Sequence, residues 1–378
     1  MAGSGVRLAV INSKPPIAFF LPSLGGGGAE RVILNLAQGI VERGLPVDLV
    51  LAAATGAFLE QVPASVRLVD LHAPRVLRSV GPLAGYLRRE RPRVLISSMN
   101  YANLVALWAA KLSGRNTPVL VTVHTTMSES SRQQQRRLSG LIWPTLLRMF
   151  YPYAAHVVAV SSGAADDLSR LTRLPRKRVE VVYNPVITRE TMIAAKQAPD
   201  HPWFKPGQPP VILGVGRLTR QKDFPTLIRA FAEVRRKRPV RLIILGEGED
   251  RADLTTLARE LGVSEDVELP GFRNALSYMA GSALFVLSSG WEGLPTVLIE
   301  ALAAGTRVVS TDCPSGPREI LQEGRIGALV PVGDVAAMAA AMLEALDQPT
   351  TTTPVDALAP FTREAAVDNY LRLIETAE

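Results

Sequence analysis

The chain has 378 residues, room for two to three domains of about 150 residues each. Its 47% hydrophobic and 20% charged composition excludes a mostly disordered chain, and no apolar run reaches the roughly 20 residues of a membrane-spanning helix. The net charge of +7 is uneven: residues 1–200 carry 24 Lys and Arg against 12 Asp and Glu, and residues 201–378 carry 18 against 23. A basic half and a slightly acidic half imply two domains with different partners. The apolar stretch Ile17–Leu21 is too short for a signal peptide. One cysteine, Cys313, excludes a disulfide framework, and with four scattered histidines (His72, His124, His156, His201) no structural metal centre is expected.

Along the chain, short β-rich apolar runs alternate with amphipathic helical patterns. Strands are expected at 17–21, 47–52, 94–97, 119–122, 157–160 and 180–183. In the pattern 30–43, Val32, Ile33, Leu36, Ala37 and Ile40 share one helical face. The alternation restarts with strands at 211–215, 241–245, 267–269, 284–287 and 307–310, and helices at 225–236, 250–261, 275–280 and 295–304. Strands separated by helices predict parallel sheets covered on both faces. Residues 184–210, rich in Pro and polar residues, read as the linker. A polar stretch at 348–354 precedes a last helix, 363–376. The expected architecture is α/β, with two doubly wound Rossmann-like domains facing each other across a cleft. Their expected bounds are 1–188 and 189–360, with the helix at 361–378 packing back on the first.

The segment Leu24-Gly25-Gly26-Gly27-Gly28-Ala29-Glu30 follows a strand and opens a helix, where backbone N–H groups can meet a phosphate. Its alternative reading is a plain flexible turn. It is not a dinucleotide fingerprint, because Glu30 stands where the third glycine belongs and the next strand ends in Ala52-Ala53-Ala54 with no acid for a ribose. Asp48 sits at the wrong end of that strand.

In the second half, Gly214-Val215-Gly216-Arg217-Leu218-Thr219-Arg220-Gln221-Lys222 follows a strand. Arg217 and Lys222 can converge on one diphosphate, a planar fork beside a point charge. A solvated charged loop is the alternative. The strongest signal is the run from Ser288 to Ala301. Pro295 suits a first helical turn and Gly305 a helix end. Glu292 falls in the loop and Glu300 within a largely apolar helix, suited to opposite ends of one extended ligand, with N–H groups around Leu294–Val297 for a phosphate between them. A cap for Glu292 and a solvated face for Glu300 are the competing roles.

Together these segments resemble the retaining glycosyltransferases of family 4, also called group 1, with the GT-B fold. The resemblance rests on Glu292 and Glu300 in EGLPTVLIEALAAG, Arg217 and Lys222 spaced R-x4-K, GGGGAERV, VHTT at His124, AVSSGAADDL, and YNPV at Asn184. It spans almost the whole chain. Asp223 departs from the glycine usual after the lysine, which leaves that loop's path open.

The resemblance implies a nucleotide-sugar donor, a UDP-sugar, as substrate and neither cofactor nor metal. Glu300 would bind the ribose and Glu292 the donor sugar. Arg217 and Lys222 would hold the diphosphate with N–H groups near Gly293, Leu294, Pro295, Thr296 and Val297. Phe272 and Arg273 would flank the base, Gly27 and Gly28 would approach the transferred sugar, and His124 would contact it near the reacting carbon. No residue is an obvious nucleophile, so front-face attack with retention is expected.

Arg132, Arg136 and Arg137 precede Trp143, Phe150 and Tyr151, and Arg75, Arg78, Arg88, Arg89, Arg91 and Arg93 flank Leu83, Tyr86 and Leu87. Such cationic aromatic stretches suit an anionic membrane surface, unless the apolar residues are simply core. No nucleic-acid platform is evident. The family implies a lipid-linked or polysaccharide acceptor, and a cytoplasmic protein held peripherally at the inner face of the membrane. A soluble small-molecule acceptor, a dinucleotide-dependent oxidoreductase and a catalytically silent nucleotide-sugar binder are the alternatives.

Overall fold

The computed structural model of the protein describes residues 14–126, 139–348 and 353–377. Contacts divide these residues into two compact units. One runs to Thr122 and adds Phe150–Val157 and the chain from Leu371; the other holds Val123–Met149 and Val158–Tyr370.

A seven-stranded sheet comprises β1 (Ile17–Leu21), β2 (Val47–Leu51), β3 (Arg67–Asp70), β4 (Val94–Ser98), β5 (Val119–Val123), β6 (His156–Ala159) and β7 (Val179–Val181), in the order β3-β2-β1-β4-β5-β6-β7. A six-stranded sheet comprises β8 (Val211–Val215), β9 (Arg241–Leu245), β10 (Val267–Gly271), β11 (Leu284–Leu287), β12 (Val308–Thr311) and β13 (Ala328–Val330), in the order β10-β9-β8-β11-β12-β13. β1 pairs in parallel with β2 and β4, and β8 in parallel with β9 and β11. Strand order therefore reverses beside β1 in one sheet and beside β8 in the other. Ligands of doubly wound sheets bind beyond the carboxyl ends of the strands at such switch points.

The second sheet is buried on both faces, and its side chains alternate as the pleat requires. Ile212, Leu242, Ile244, Leu284 and Val286 join one core with Phe224, Leu227, Ile228 and Phe231 of the helix Phe224–Lys237. Leu213, Ile243, Leu245, Phe285 and Leu287 join the opposite core with Leu298, Ile299 and Leu302 of the helix Thr296–Ala303. Gly214 lets strand and helix close up, since a Cβ there would lie 2.9 Å from Leu227 Cδ2 and 3.1 Å from Phe224 Cε1.

Several expectations need correction. β3 was not anticipated because Arg67-Leu-Val-Asp70 lacks an apolar run, its first two residues being exposed at the sheet edge. β13 is only three residues long. Residues 184–210 are not structureless: Thr188 caps a helix, Arg189–Ala194, through a capping box with Thr191. Leu83, Tyr86 and Leu87 are core residues, not a membrane face, and so is Tyr151, whose hydroxyl lies 3.1 Å from Asn103 Nδ2. Phe150 packs edge-on against Trp108, with ring centroids 5.4 Å apart. Arg132, Arg136 and Arg137 lie outside the described residues. Asp48 accepts from Arg67 Nε at 2.8 Å and from the Tyr86 hydroxyl at 2.5 Å, a structural role.

Candidate active site

The loops after β8 and β11 flank the switch point of the second sheet, and they are tied to one another. Lys222 Nζ donates to Glu292 Oε1 at 2.6 Å, and the Ser289 hydroxyl donates to the same oxygen at 2.7 Å. Both charged side chains are largely buried. Gln221 Nε2 donates to the Trp291 carbonyl at 2.9 Å, Gly290 N to the Gln221 carbonyl at 2.8 Å, and Ser288 Oγ to the Lys222 carbonyl at 2.7 Å. A lysine and a glutamate that were expected on different parts of a ligand thus form one buried ion pair.

Local backbone explains the approach. Lys222 lies along the Gly216 backbone: a Cβ there would come within 2.9 Å of Lys222 Cε and 3.0 Å of Cδ. Asp223 adopts the left-handed conformation, φ 45° and ψ 45°, directly before the helix Phe224–Lys237. Glycine meets that requirement without strain, which accounts for the residue usual at this point, while Asp tolerates it and accepts from Thr226 Oγ1 at 2.7 Å. The loop keeps its path without glycine. The Arg217 side chain is exposed and, among the described residues, has no ion pair.

Pro295 stands at the N-cap of the helix Thr296–Ala303, which offers no side-chain cap, so its first N–H groups are free to receive an anion. Leu294 and Pro295 are buried, Thr296 and Val297 half-buried. Glu300 is half-buried, less enclosed than its apolar neighbours Leu298, Ile299, Ala301 and Leu302. Gly305, with φ 80°, ends this helix as expected.

Gly293 has no room for a side chain, because a Cβ would fall 2.2 Å from the His124 carbonyl oxygen. His124 therefore lies against the same loop as Glu292. Its imidazole is hydrogen-bonded to Asn184, linking two segments that the sequence offered separately, and burial pushes its pKa down to about 4. At neutral pH it is uncharged and can act only through hydrogen bonds.

Sequence reasoning missed a ring of hydroxyls behind the loop. Thr126 Oγ1 donates to the Glu292 carbonyl at 3.1 Å, Ser161 Oγ to the Gly293 carbonyl at 2.7 Å, and Ser315 Oγ to that same carbonyl at 3.0 Å. Glu319 accepts from Ser162 N at 3.0 Å, Gly163 N at 3.1 Å and the Tyr183 hydroxyl at 3.1 Å. Burial, aided by Glu319, pushes the Tyr183 pKa up to about 12. Only Ser161, as a helix N-cap before the helix Ser162–Thr172, carried a local signal.

Near the β10 end, Phe272 is 73% exposed and Arg273 Nη1 donates to its carbonyl at 3.0 Å. Gly271, with φ 79°, sits where a Cβ would lie 2.7 Å from Glu247 Oε1.

In the other unit, Gly27 is the N-cap of the helix Gly28–Glu42. Its loop carries its own anion. The Glu30 carboxylate accepts from Gly25 N at 3.3 Å, Gly26 N at 3.0 Å and Gly27 N. The residue that spoiled the dinucleotide fingerprint holds the N–H groups that the fingerprint would give to phosphate.

Two parallel doubly wound sheets, with a buried Lys222–Glu292 pair and free N–H groups at the second switch point, define an α/β protein with a candidate anion site. Residues 26–190 match the description "Glycosyltransferase Family 4" and residues 196–357 match "Glycosyl transferases group 1". The chain belongs to this glycosyltransferase family, which removes the oxidoreductase alternative. It is 31% identical over 334 residues to an N-acetylgalactosamine-N,N'-diacetylbacillosaminyl-diphospho-undecaprenol 4-alpha-N-acetylgalactosaminyltransferase of Campylobacter jejuni, covering 85% of this chain and 87% of that protein. It is 28% identical to the lipopolysaccharide core biosynthesis glycosyltransferase LpsE of Rhizobium meliloti, covering 92% and 96%. Its fold is similar to that of the Anabaena protein HepE in complex with UDP and glucose, with a TM-score of 0.76 at 20% identity, covering 96% of this chain and 100% of that one. The apo lipopolysaccharide outer core galactosyltransferase WaaB matches at a TM-score of 0.72 and 21% identity, with the same coverage.

Proposed function

We propose that the protein transfers a sugar from a UDP-sugar to a lipid-linked or glycan acceptor, with retention and without a metal. The observation that carries this reading is the junction of Lys222, Glu292 and the uncapped helix at Thr296 around one switch point. Arg217, Lys222 and N–H groups from Gly293 to Val297 would receive the diphosphate, Glu300 the ribose, Glu292 the donor sugar, and Phe272 and Arg273 would border the base. Acceptors of this class act in the Campylobacter and Rhizobium relatives, by their names, and UDP accompanies HepE.

In the reaction, the bond between the anomeric carbon and the diphosphate oxygen breaks, and its electron pair goes to the diphosphate. The acceptor oxygen attacks from the same face, and its proton passes to the departing diphosphate. Lys222, Arg217 and the N–H groups stabilise the charge that develops there, the work a metal does elsewhere. Among the described residues no group of His, Cys, Asp and Glu is placed to bind a metal ion. Neutral His124 would donate a hydrogen bond near the reacting carbon rather than supply a charge. For the loop of Gly27 and Gly28 to offer its N–H groups to a ligand, Glu30 would have to release or share those of Gly25, Gly26 and Gly27.

Among the described residues no helix is long and apolar enough to cross a membrane. Arg88, one of the arginines expected at a membrane, supports peripheral binding together with apolar residues other than those first expected. Leu77, Leu112 and Tyr153 are 59%, 55% and 75% exposed. Arg88 donates to the Leu112 carbonyl at 2.6 Å and Lys111 Nζ lies 5.7 Å from the Tyr153 ring centre. Cations bordering exposed apolar side chains suit an anionic membrane, which would present a lipid-linked acceptor.

The test is NMR of the product formed from an α-linked UDP-sugar in the presence of EDTA. An α-linked product is expected. A β-linked product, or activity lost to EDTA and restored by a divalent ion, would refute the mechanism.

A further inference from the structure

We infer that Thr126, Ser161 and Ser315 are positioning residues that aim the N–H groups of Gly293 and Leu294 at the donor diphosphate. The inference rests on the proposed role of this loop as the diphosphate site. In a trans peptide the C=O and N–H point to opposite sides of the chain. Thr126 Oγ1 holds the Glu292 carbonyl at 3.1 Å, which directs the next N–H, that of Gly293, the other way. Ser161 and Ser315 hold the Gly293 carbonyl at 2.7 and 3.0 Å, which directs the N–H of Leu294 likewise. Among the described residues neither N–H has a partner. Two consecutive peptides are thus fixed on their acceptor side and left open on their donor side, the arrangement an anion needs.

The support is built rather than incidental. Ser161 Oγ and Ser315 Oγ lie 2.6 Å apart, so with one proton each, one hydroxyl donates to the Gly293 carbonyl while the other donates to that carbonyl or to its neighbour. Ser161 also accepts from Ala164 N at 3.2 Å. Thr126 and Ser161 are buried, at 3% and 0% exposure. Glu319, held by Ser162 N and Gly163 N, locks the start of the helix that follows Ser161. Glycines allow the crowding: a Cβ on Gly163 would lie 2.9 Å from Ser315 Oγ, and one on Gly316 would lie 3.2 Å from the Gly293 carbonyl oxygen. Without the hydroxyls, these carbonyls could rotate toward the ligand and repel it.

Ser161→Ala also removes a helix cap, so the test uses the double variant Thr126→Val/Ser315→Ala, which leaves the cap in place. NMR titration with UDP and with uridine, which lacks phosphate, is carried out on the full chain. The variant should bind UDP about tenfold more weakly, the loss of one to two aimed hydrogen bonds, and bind uridine unchanged. Unchanged UDP binding, or parallel weakening for UDP and uridine, would overturn the inference by making the hydroxyls mere packing. A wild type that binds UDP no more tightly than uridine would instead remove the diphosphate site itself, and this inference with it.

Discussion

Lys222 illustrates what spacing can and cannot say. The five-residue separation from Arg217 marked both as diphosphate ligands, yet nothing in it foretold that Lys222 would be paired with Glu292, 70 positions away. Long-range pairs are invisible to local pattern, as are the hydroxyls of Thr126 and Ser315. The glycine-for-aspartate difference at 223 was legible as a question and is answered by the left-handed backbone. There, Asp223→Gly trades relief of strain against loss of the Thr226 hydrogen bond, each about 1 kcal/mol, so stability should stay within about 1 kcal/mol of the wild type. Asp223→Val loses the bond and adds a branched side chain to that conformation, and urea denaturation should show a loss of about 1–3 kcal/mol.

His124 also makes a pH prediction. Its pKa falls from an ordinary value near 6.5 to about 4 on folding. Between these values the unfolded chain binds the extra proton, so this histidine's contribution leaves stability intact above about pH 6.5 and lowers it progressively toward pH 4. The loss is at most about 3.5 kcal/mol, at about 1.4 kcal/mol per unit. In His124→Asn, denaturation curves should fall less steeply with pH over this window. An identical pH dependence in both proteins would mean that the imidazole is not buried as described.

At the scale of elements, the parallel strands β1, β8, β9 and β11 were read from sequence with their observed bounds, because strands buried on both faces are continuous apolar runs bounded by turns. The edge strand β3 escaped because it has no apolar run, and β13 because it is only three residues long. The helix Val80–Glu90 shows the limit of amphipathicity: its apolar stripe fitted membrane or core equally, and only packing decides. Two glycines separate stability from function within one β–α unit. Gly214→Ala would press on Leu227 and Phe224, both buried, and should cost about 1–3 kcal/mol of stability. Gly216→Ala presses instead on the flexible Lys222 side chain. Its turnover should fall while its melting temperature changes little. Comparable melting losses for both variants would undo this division.

For the whole molecule, charge asymmetry pointed to a basic half with its own partner. Of the residues that carried the expectation, Leu83, Tyr86, Leu87 and Tyr151 are core, while Arg88 lies against Leu112, whose side chain is exposed. The buried four cannot insert into lipid, whereas Leu112 and Tyr153 are exposed beside Arg88 and Lys111, and Leu77 is exposed as well. Each cation near an anionic surface contributes about 1 kcal/mol, screened within roughly 8 Å at physiological salt. The protein should co-sediment with anionic vesicles at low salt, be released by added salt and ignore neutral vesicles. Arg88→Glu/Lys111→Glu should weaken that binding and spare UDP binding. No sedimentation with either vesicle type would assign the face no membrane role, and equal sedimentation with both would remove the part given to its cations.

The central claim is that the carboxyl end of the second sheet holds a nucleotide diphosphate through Lys222 and its neighbours. Calorimetric titration of UDP into the wild type and into Lys222→Ala tests it most directly. Removal of a cation from a diphosphate should weaken UDP binding at least about tenfold, with the fold retained. Equal affinity of UDP for a folded Lys222→Ala variant, or no binding to the wild type, would contradict it.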